Sequence, residues 1–503
     1  MTIALARPPL RWSRAEPRML LPVLALLASA ALGAGIADPA YERLVLAGSA
    51  ATLLSVLSVA SPGIGLGALA TWLVALGTIR RIAPGASLSG LGDPLLLVEP
   101  VVLVILVLSL PRRSGRPGQM SALAYAVLAF QTLAVLSALN PLQGGLEVGM
   151  AGLLFVPVPM LGFWVGRSLP TSTVARLLRL MAVLGIPVAL YGLWQTLLGF
   201  PPWDVQWING VLGSYVALNV GGGIRAFASL SSAAEYAFVL GIAIVVLVAG
   251  LRRHAASAPA LAVLGLLSAS VILESSRGIV VTGVLAVGAV TAARAGWRPI
   301  RAALAGTVLV VAVVIVSGQL VPAALGSGSL SGLLVHQVQG LADPFGAGST
   351  LPLHIESLLT GLRRGLATGI GLGIGAVSIA AGRFGGVTAG TEVDPGNAAV
   401  ALGIPGLLLY LAIAVTGLWR AYALARTKRD FVSLALLGVL VVTGLQWLNG
   451  GQYAVAWLVW VAFGAVDARA LGSDKSPDRP PHDAVDIANV AATAHTPRLL
   501  HGT

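Results

Sequence analysis

Residues 335–375 read VHQVQGLADPFGAGSTLPLHIESLLTGLRRGLATGIGLGIG, inside the longest interior stretch of the chain, Gln319 to Gly396, that a lipid bilayer would not accept. Apolar runs flank it on both sides. Segments longer than about 15 residues inside a compact architecture are usually functional or disordered. This one has order written into it. Ile355, Leu358, Leu359, Leu362 and Leu366 recur at helical spacing as a single apolar stripe, which suits a short helix lying on a membrane surface or plugging a cavity mouth. The stretch therefore reads as a folded cap over a site, closed by the acidic run TEVDP before the next apolar run opens.

Apolar residues make up 57% of the 503-residue chain and charged residues only 10%, which excludes a soluble globular protein. Long uncharged runs recur, each near the roughly 20 residues a helix needs to cross about 30 Å of hydrocarbon. The expected fold is all-α: a polytopic helical membrane protein of about 14 transmembrane helices. Spans are expected near 19–37, 44–60, 63–79, 94–110, 120–138, 148–166 and 175–198, then near 233–251, 259–275, 278–293, 302–319, 397–418, 431–448 and 451–466. A basic leader (1–18) precedes this transmembrane domain (19–466), the long loop (320–396) separates spans eleven and twelve, and a charged, Pro-rich tail (467–503) reads as an unfolded cytoplasmic extension. There is no cysteine, so disulfides and thiolate metal sites are ruled out and the loop must hold itself by packing.

A net charge of +12 points elsewhere than to nucleic acid once its distribution is followed. With both termini in the cytosol, all but eight of the 31 basic residues fall on the cytoplasmic side, as the positive-inside rule requires. The eight outside, Arg43, Arg80, Arg81, Arg225, Arg277, Arg363, Arg364 and Arg383, are the ones that need a reason.

Arg225 stands at the mouth of span eight beside a capping-box pattern, Ser232 to Glu235. A helix N-terminus next to a guanidinium suits a phosphate; interfacial anchoring or a pair with Glu235 is the plainer reading. Arg277 lies on the same face, in the abrupt hairpin between spans nine and ten. Two such cations would clamp a pyrophosphate, whereas Arg277 alone would pair locally with Glu274. Glu392 and Asp394 precede span twelve, where either would accept a hydroxyl proton if desolvated, or would simply be solvated or favour the helix dipole. Trp194, Trp203 and Trp207 surround the shorter outward loop with Asp204 and Gln206; aromatic faces stack on sugars, and tryptophan also marks membrane interfaces. Glu99 is an intramembrane acid expected to face the bundle interior. GIGLGIG at 369–375 lacks the strand of a dinucleotide fingerprint and suits close approach to a helix or a phosphate. The six histidines form no metal-ligand spacing.

In order, ALYGLWQ closing span seven, GIRAFAS before span eight, ESSRG between spans nine and ten, GIGLGIGAV ending the long loop, and GNAAVALGIPGLLLYL opening span twelve resemble the O-antigen ligase and polymerase family over roughly residues 180–420. The resemblance implies a GT-C-type membrane fold in a bacterial inner membrane, without cofactor. It also implies inverting, metal-independent transfer of a glycan from an undecaprenyl-pyrophosphate carrier to a glycan or lipid acceptor hydroxyl on the extracytoplasmic face. The family's pair of pyrophosphate-holding arginines matches Arg225 and Arg277. Its His-Asn pair ahead of the Gly-x-x-Gly of span twelve falls on Glu392 and Val393 here, so Glu392, or Asp394 nearby, would act as base. Glu99, Trp203, Arg363 and Arg364 complete the expected substrate lining. The rival reading is a lipid-linked oligosaccharide flippase or other transporter. Fourteen spans and Glu99 suit it, but transporters tend to carry paired repeats and midplane charges, and here the notable charges gather at one face.

Overall fold

The computed structural model describes residues 42–83, 93–110, 120–211, 218–251, 257–324, 329–346, 349–378, 380–448 and 452–472. The basic leader, the first apolar run and the tail beyond Gly472 lie outside these residues. Helices α1 (Glu42–Ala60) and α2 (Pro62–Ile82) are followed by α3 (Val98–Ser109), led in by a 3-10 turn at Pro94–Leu97, and by α4 (Ala122–Ser137). Next come α5 (Leu146–Phe155), α6 (Leu161–Ser168), α7 (Thr171–Leu197), α8 (Pro202–Val211) and a small antiparallel hairpin of β1 (Asn219–Val220) and β2 (Gly223–Ile224). Helices α9 (Ala233–Gly250), α10 (Ala258–Glu274), α11 (Arg277–Arg294) and α12 (Pro299–Ala324) lead to the long loop. That loop holds α13 (Ser329–Ala342), α14 (Leu351–Thr368) and the short α15 (Ala380–Arg383), and α16 (Asp394–Lys428), α17 (Phe431–Val442) and α18 (Tyr453–Ala470) complete the chain.

Eight helices, α1, α2, α7, α9, α11, α12, α16 and α18, are long and apolar enough to cross a membrane. Five shorter apolar segments, α3 with its leading turn, α4, α5, α10 and α17, accompany them. The run expected as one span over 148–166 is broken into α5 and α6, because Pro157 and Pro159 remove two amide donors from the helical ladder. Gln131 answers the break by donating to the Pro157 carbonyl at 3.3 Å. At the other end of the chain α18 continues past residue 466, where the tail was expected to unfold, to Ala470. Asp467 accounts for the extra turn, being paired with Arg167 at 3.0 Å and with Arg420, and accepting from Ser121.

The core lies along α18, of whose apolar window 94% is buried against 11% for α12, so α18 is the central post and α12 the periphery. Trp447 stands edge-on to Phe463 at 4.9 Å, and the Trp460 indole donates to the Trp447 carbonyl at 3.2 Å, the partner a buried indole needs.

Helix α16 is interrupted at Gly403, whose φ of 66° and ψ of −153° lie in a region essentially closed to residues with a Cβ. The interruption is fully paired. The Ile404 amide donates to the Gly369 carbonyl at 3.0 Å, and the Val400 carbonyl accepts from Leu372 at 2.7 Å. The Ala401 carbonyl, whose helical donor would be the N–H that Pro405 lacks, accepts from Gly373 at 3.0 Å. The glycine-rich run at 369–375 thus meets a helix backbone to backbone. Asn140 and Gln143 support it, the first donating to the Gly371 carbonyl at 3.1 Å and the second accepting from the Gly375 amide at 2.9 Å.

Helix α14 differs from expectation in which side it buries. Gly361 and Gly365 are packed against the start of α16, while Ile355, Leu359 and Leu366 of the apolar stripe are 40%, 45% and 56% exposed. Leu358 and Leu362 of the same stripe are half-buried, so its exposed part lies to one side of the packed face, where a membrane surface suits it.

Candidate functional site

The loop carrying Arg225 is fixed by a buried polar network behind it. Asp204, on α8, pairs with the Arg81 Nε at 2.6 Å and accepts from the Tyr191 hydroxyl and the Gln195 amide, each at 2.7 Å. Gln195 in turn accepts from the Phe227 amide at 3.0 Å and the Ala228 amide at 2.7 Å, and Arg81 donates to the Leu230 carbonyl at 2.7 Å. The Arg81 guanidinium also lies 4.8 Å from the Phe227 ring centroid, a cation–π contact. Residues 226–228, buried and with Ala228 at a left-handed φ of 47°, are thereby clamped to the ends of α2 and α7. Asp204 is thus a structural carboxylate, and Trp207 packs on Phe227. Trp194 and Trp203 are exposed, with the Trp203 indole donating to Tyr191 at 3.0 Å.

Arg225 and Arg277 lie within reach of each other's charge, and their partners differ from those their sequence neighbours suggest. Arg225 donates from Nε to the Glu274 carbonyl at 3.1 Å and pairs through Nη2 with the Glu274 carboxylate. Glu274 thus serves Arg225 and not Arg277, and Glu235 accepts from the Ser231 amide at 3.0 Å and the Ala454 amide at 2.9 Å. Arg277 lies within electrostatic reach of Arg225 and donates from Nη2 to His336 Nε2 at 2.8 Å. That bond settles the tautomer, since a guanidinium is donor only. The ring proton is on Nδ1 and goes to the Ser275 hydroxyl at 2.9 Å, which itself donates to the Leu333 carbonyl at 3.1 Å. Burial first, then the charges of Arg277 and Arg225, push His336 down from 6.5 to about 4. Helix α13 can lie over the guanidinium because residue 340 is glycine, where a Cβ would fall on the Arg277 side chain. Arg277 Nη1 is buried without a hydrogen-bond partner, and Arg277 has no carboxylate partner among the described residues.

The two acidic candidates separate. Asp394, the first residue of α16, is buried and accepts from the Trp447 amide and, at 3.2 Å, from the Tyr410 hydroxyl. It ties the start of α16 to the segment between α17 and α18. Glu392 is exposed and pairs with His354 Nδ1, from α14. Its hydrogen bond to Glu392 raises His354 above the ordinary histidine value, against desolvation and the Arg277 charge, and the same bond holds Glu392 below the usual carboxylate range. His354 feels the charge of Arg277, which opposes its protonation. Glu356, Ser357, Thr360 and Arg364 on the polar side of α14 line, with Thr391, an open cleft of about 320 Å³. Arg363 is exposed.

Glu99 stands apart, buried in α3 with Tyr453 and Glu235 as its electrostatic neighbours. Of the other outward arginines, Arg43 and Arg80 share Asp93, each at 2.8 Å, and the side chain of Arg383 lies outside the described residues. Residue reading missed His336 and His354. The available signal was that they are the only histidines between Arg277 and the acidic run. Among the described residues no three His, Cys, Asp or Glu side chains are grouped to hold a metal ion. No protein-family model matches the chain, and no curated protein is similar to it.

Proposed function

We propose that this chain is a membrane glycosyltransferase that moves a glycan from an undecaprenyl-pyrophosphate carrier to an acceptor hydroxyl. It would work on the extracytoplasmic face of a bacterial inner membrane, in a fourteen-span GT-C-type fold with both termini in the cytosol. The observation that carries the reading is Arg277: a guanidinium with one buried, unpartnered nitrogen and no carboxylate of its own, beside Arg225. An anion with several acceptor oxygens would satisfy that donor more strongly than a neutral sugar. In this reading Arg225 and Arg277 stabilise the charge developing on the departing diphosphate, an interaction worth most in a preorganised site. The acceptor hydroxyl approaches from the cleft beside Arg364 and Thr391 and yields its proton to the Glu392 and His354 pair. Asp394, enclosed by Trp447 and Tyr410, supports the helix that carries this edge.

The test uses full-length protein in vesicles made from lipid extract of the parent membrane, which holds both donor and acceptor, with release of polyprenyl diphosphate as readout. Arg277→Ala is expected to lower release by about 10²- to 10³-fold, and a chelator to leave it unchanged. Full release from both Arg225→Ala and Arg277→Ala would remove the transferase reading. Labelled carrier crossing the bilayer without any transfer would favour the flippase, for which Glu99 is the candidate group.

A further inference from the structure

We infer that His354 is the base that takes the proton of the attacking hydroxyl and that Glu392 is its positioning residue. The inference rests on the transferase reading and names the atom that reading leaves open.

Glu392 contacts His354 at Nδ1. A carboxylate only accepts, so the neutral ring carries its proton on Nδ1 and leaves the lone pair on Nε2. No hydrogen bond to Nε2 is formed among the described residues, and the side chain is 42% exposed, so the lone pair is uncommitted on a partly open side chain. Once Nε2 has taken a proton, the carboxylate on the opposite nitrogen stabilises the imidazolium. The charges acting on the ring are Glu392, which favours proton uptake, and Arg277, which opposes it.

Each rival base is disqualified by its surroundings. His336 has its Nε2 engaged by Arg277 and two cations against it. Asp394 is enclosed by Trp447 and Tyr410. Glu392 itself, already serving His354, is held below the usual carboxylate range and is the weaker base of the two.

The pair is also held from both sides. Helix α14 is seated on α16 through Gly361 and Gly365. The acidic run is pinned by the Thr391 amide donating to Asn397 at 2.6 Å, and by Gln446 donating to the Glu392 carbonyl. In the step itself, the acceptor oxygen bonds to the anomeric carbon as its proton passes to His354 Nε2. The bond from that carbon to the diphosphate oxygen breaks, and its electron pair leaves with the diphosphate between Arg225 and Arg277. The imidazolium then returns its proton to water.

The experiment follows polyprenyl diphosphate release from vesicles of parent-membrane lipid extract by full-length protein, comparing His354→Ala, Glu392→Gln and Arg277→Ala. His354→Ala is expected to lower turnover by about 10²- to 10⁴-fold, with partial recovery on adding free imidazole. Glu392→Gln is expected to lower kcat more than it changes KM. It also shifts the acid limb of the kcat/KM profile to lower pH, because the base then needs less alkaline conditions to lose its proton. Recovery by imidazole is a response that a purely structural loss at residue 354 would not give. Full activity of His354→Ala, or loss without imidazole recovery, while Arg277→Ala is inactive overturns the assignment and leaves the transferase reading standing. An unmoved pH profile in Glu392→Gln overturns the positioning role. Full activity of both arginine variants removes the underlying reading instead.

Discussion

His336 keeps Arg277 in place only while its ring is neutral, because a protonated ring has no lone pair for the guanidinium. Its value falls from 6.5 to about 4 on folding, so between these limits the unfolded chain binds the proton more readily. Stability from this contact is complete above about 6.5 and is lost as pH falls toward about 4. We expect the protection factors of α13 amides, taken relative to intrinsic exchange at each pH, to fall over that window in the parent protein and to lose this pH dependence in His336→Gln. At Asp204 the expected effect is larger. Truncation to Ala leaves Arg81, whose side chain is 1% exposed, as a buried unpaired charge costing about 3–5 kcal/mol. Thermal unfolding in detergent measures it. At this scale the sequence singled out Arg225 and Arg277 as two of eight cations expected on the outer side. Their partners were not legible, since Arg225 reaches Glu274 across 49 positions and Arg277 reaches His336 across 59, and only the folded chain brings such distances together.

Helix α16 shows what an element can and cannot reveal in advance. Its apolar length is visible in the sequence, and one span over 397–418 was expected there; the interruption at Gly403, two residues before Pro405, was not. The remedy, three hydrogen bonds from a glycine-rich segment about 30 residues earlier, obeys the rule that backbone groups within a membrane find partners in the protein, but no local pattern announces it. Gly403→Ala must place a Cβ against the Gly369 carbonyl in a backbone region that favours glycine. We expect a loss of at least about 1–3 kcal/mol, read as a lower melting temperature in detergent. By contrast Leu359→Ala, on the exposed stripe of α14, is expected to shift folding stability by less than about 0.5 kcal/mol in the same measurement. The period of that stripe was readable, whereas its partly outward direction was not, because the packed face runs through the glycines beside it.

Across the whole molecule, every described ion pair joins two residues that the hydropathy reading puts on the same side. Arg43, Arg80, Arg81, Arg225 and His354 find their acids in one layer, and Arg167, Arg420 and Arg469 find theirs in the other. Hydropathy and charge were enough to draw those layers; the split of α5 from α6 and the extension of α18 were missed because they depend on prolines and on a buried aspartate. The orientation is open to a direct check, since the chain lacks cysteine and a single introduced thiol is the only one to label. Ser357→Cys is expected to react with an impermeant reagent in intact cells, and Ser168→Cys only after the membrane is opened.

The break in α16 has a bearing on how the protein is made. Leu372 and Gly373 leave the ribosome well before Val400 and Ala401, so their amides wait without the acceptors they will finally hold. Asn140 and Gln143 can hold the segment early, but its last three backbone bonds close only once the chain has grown past Ile404, so later residues finish what earlier ones begin.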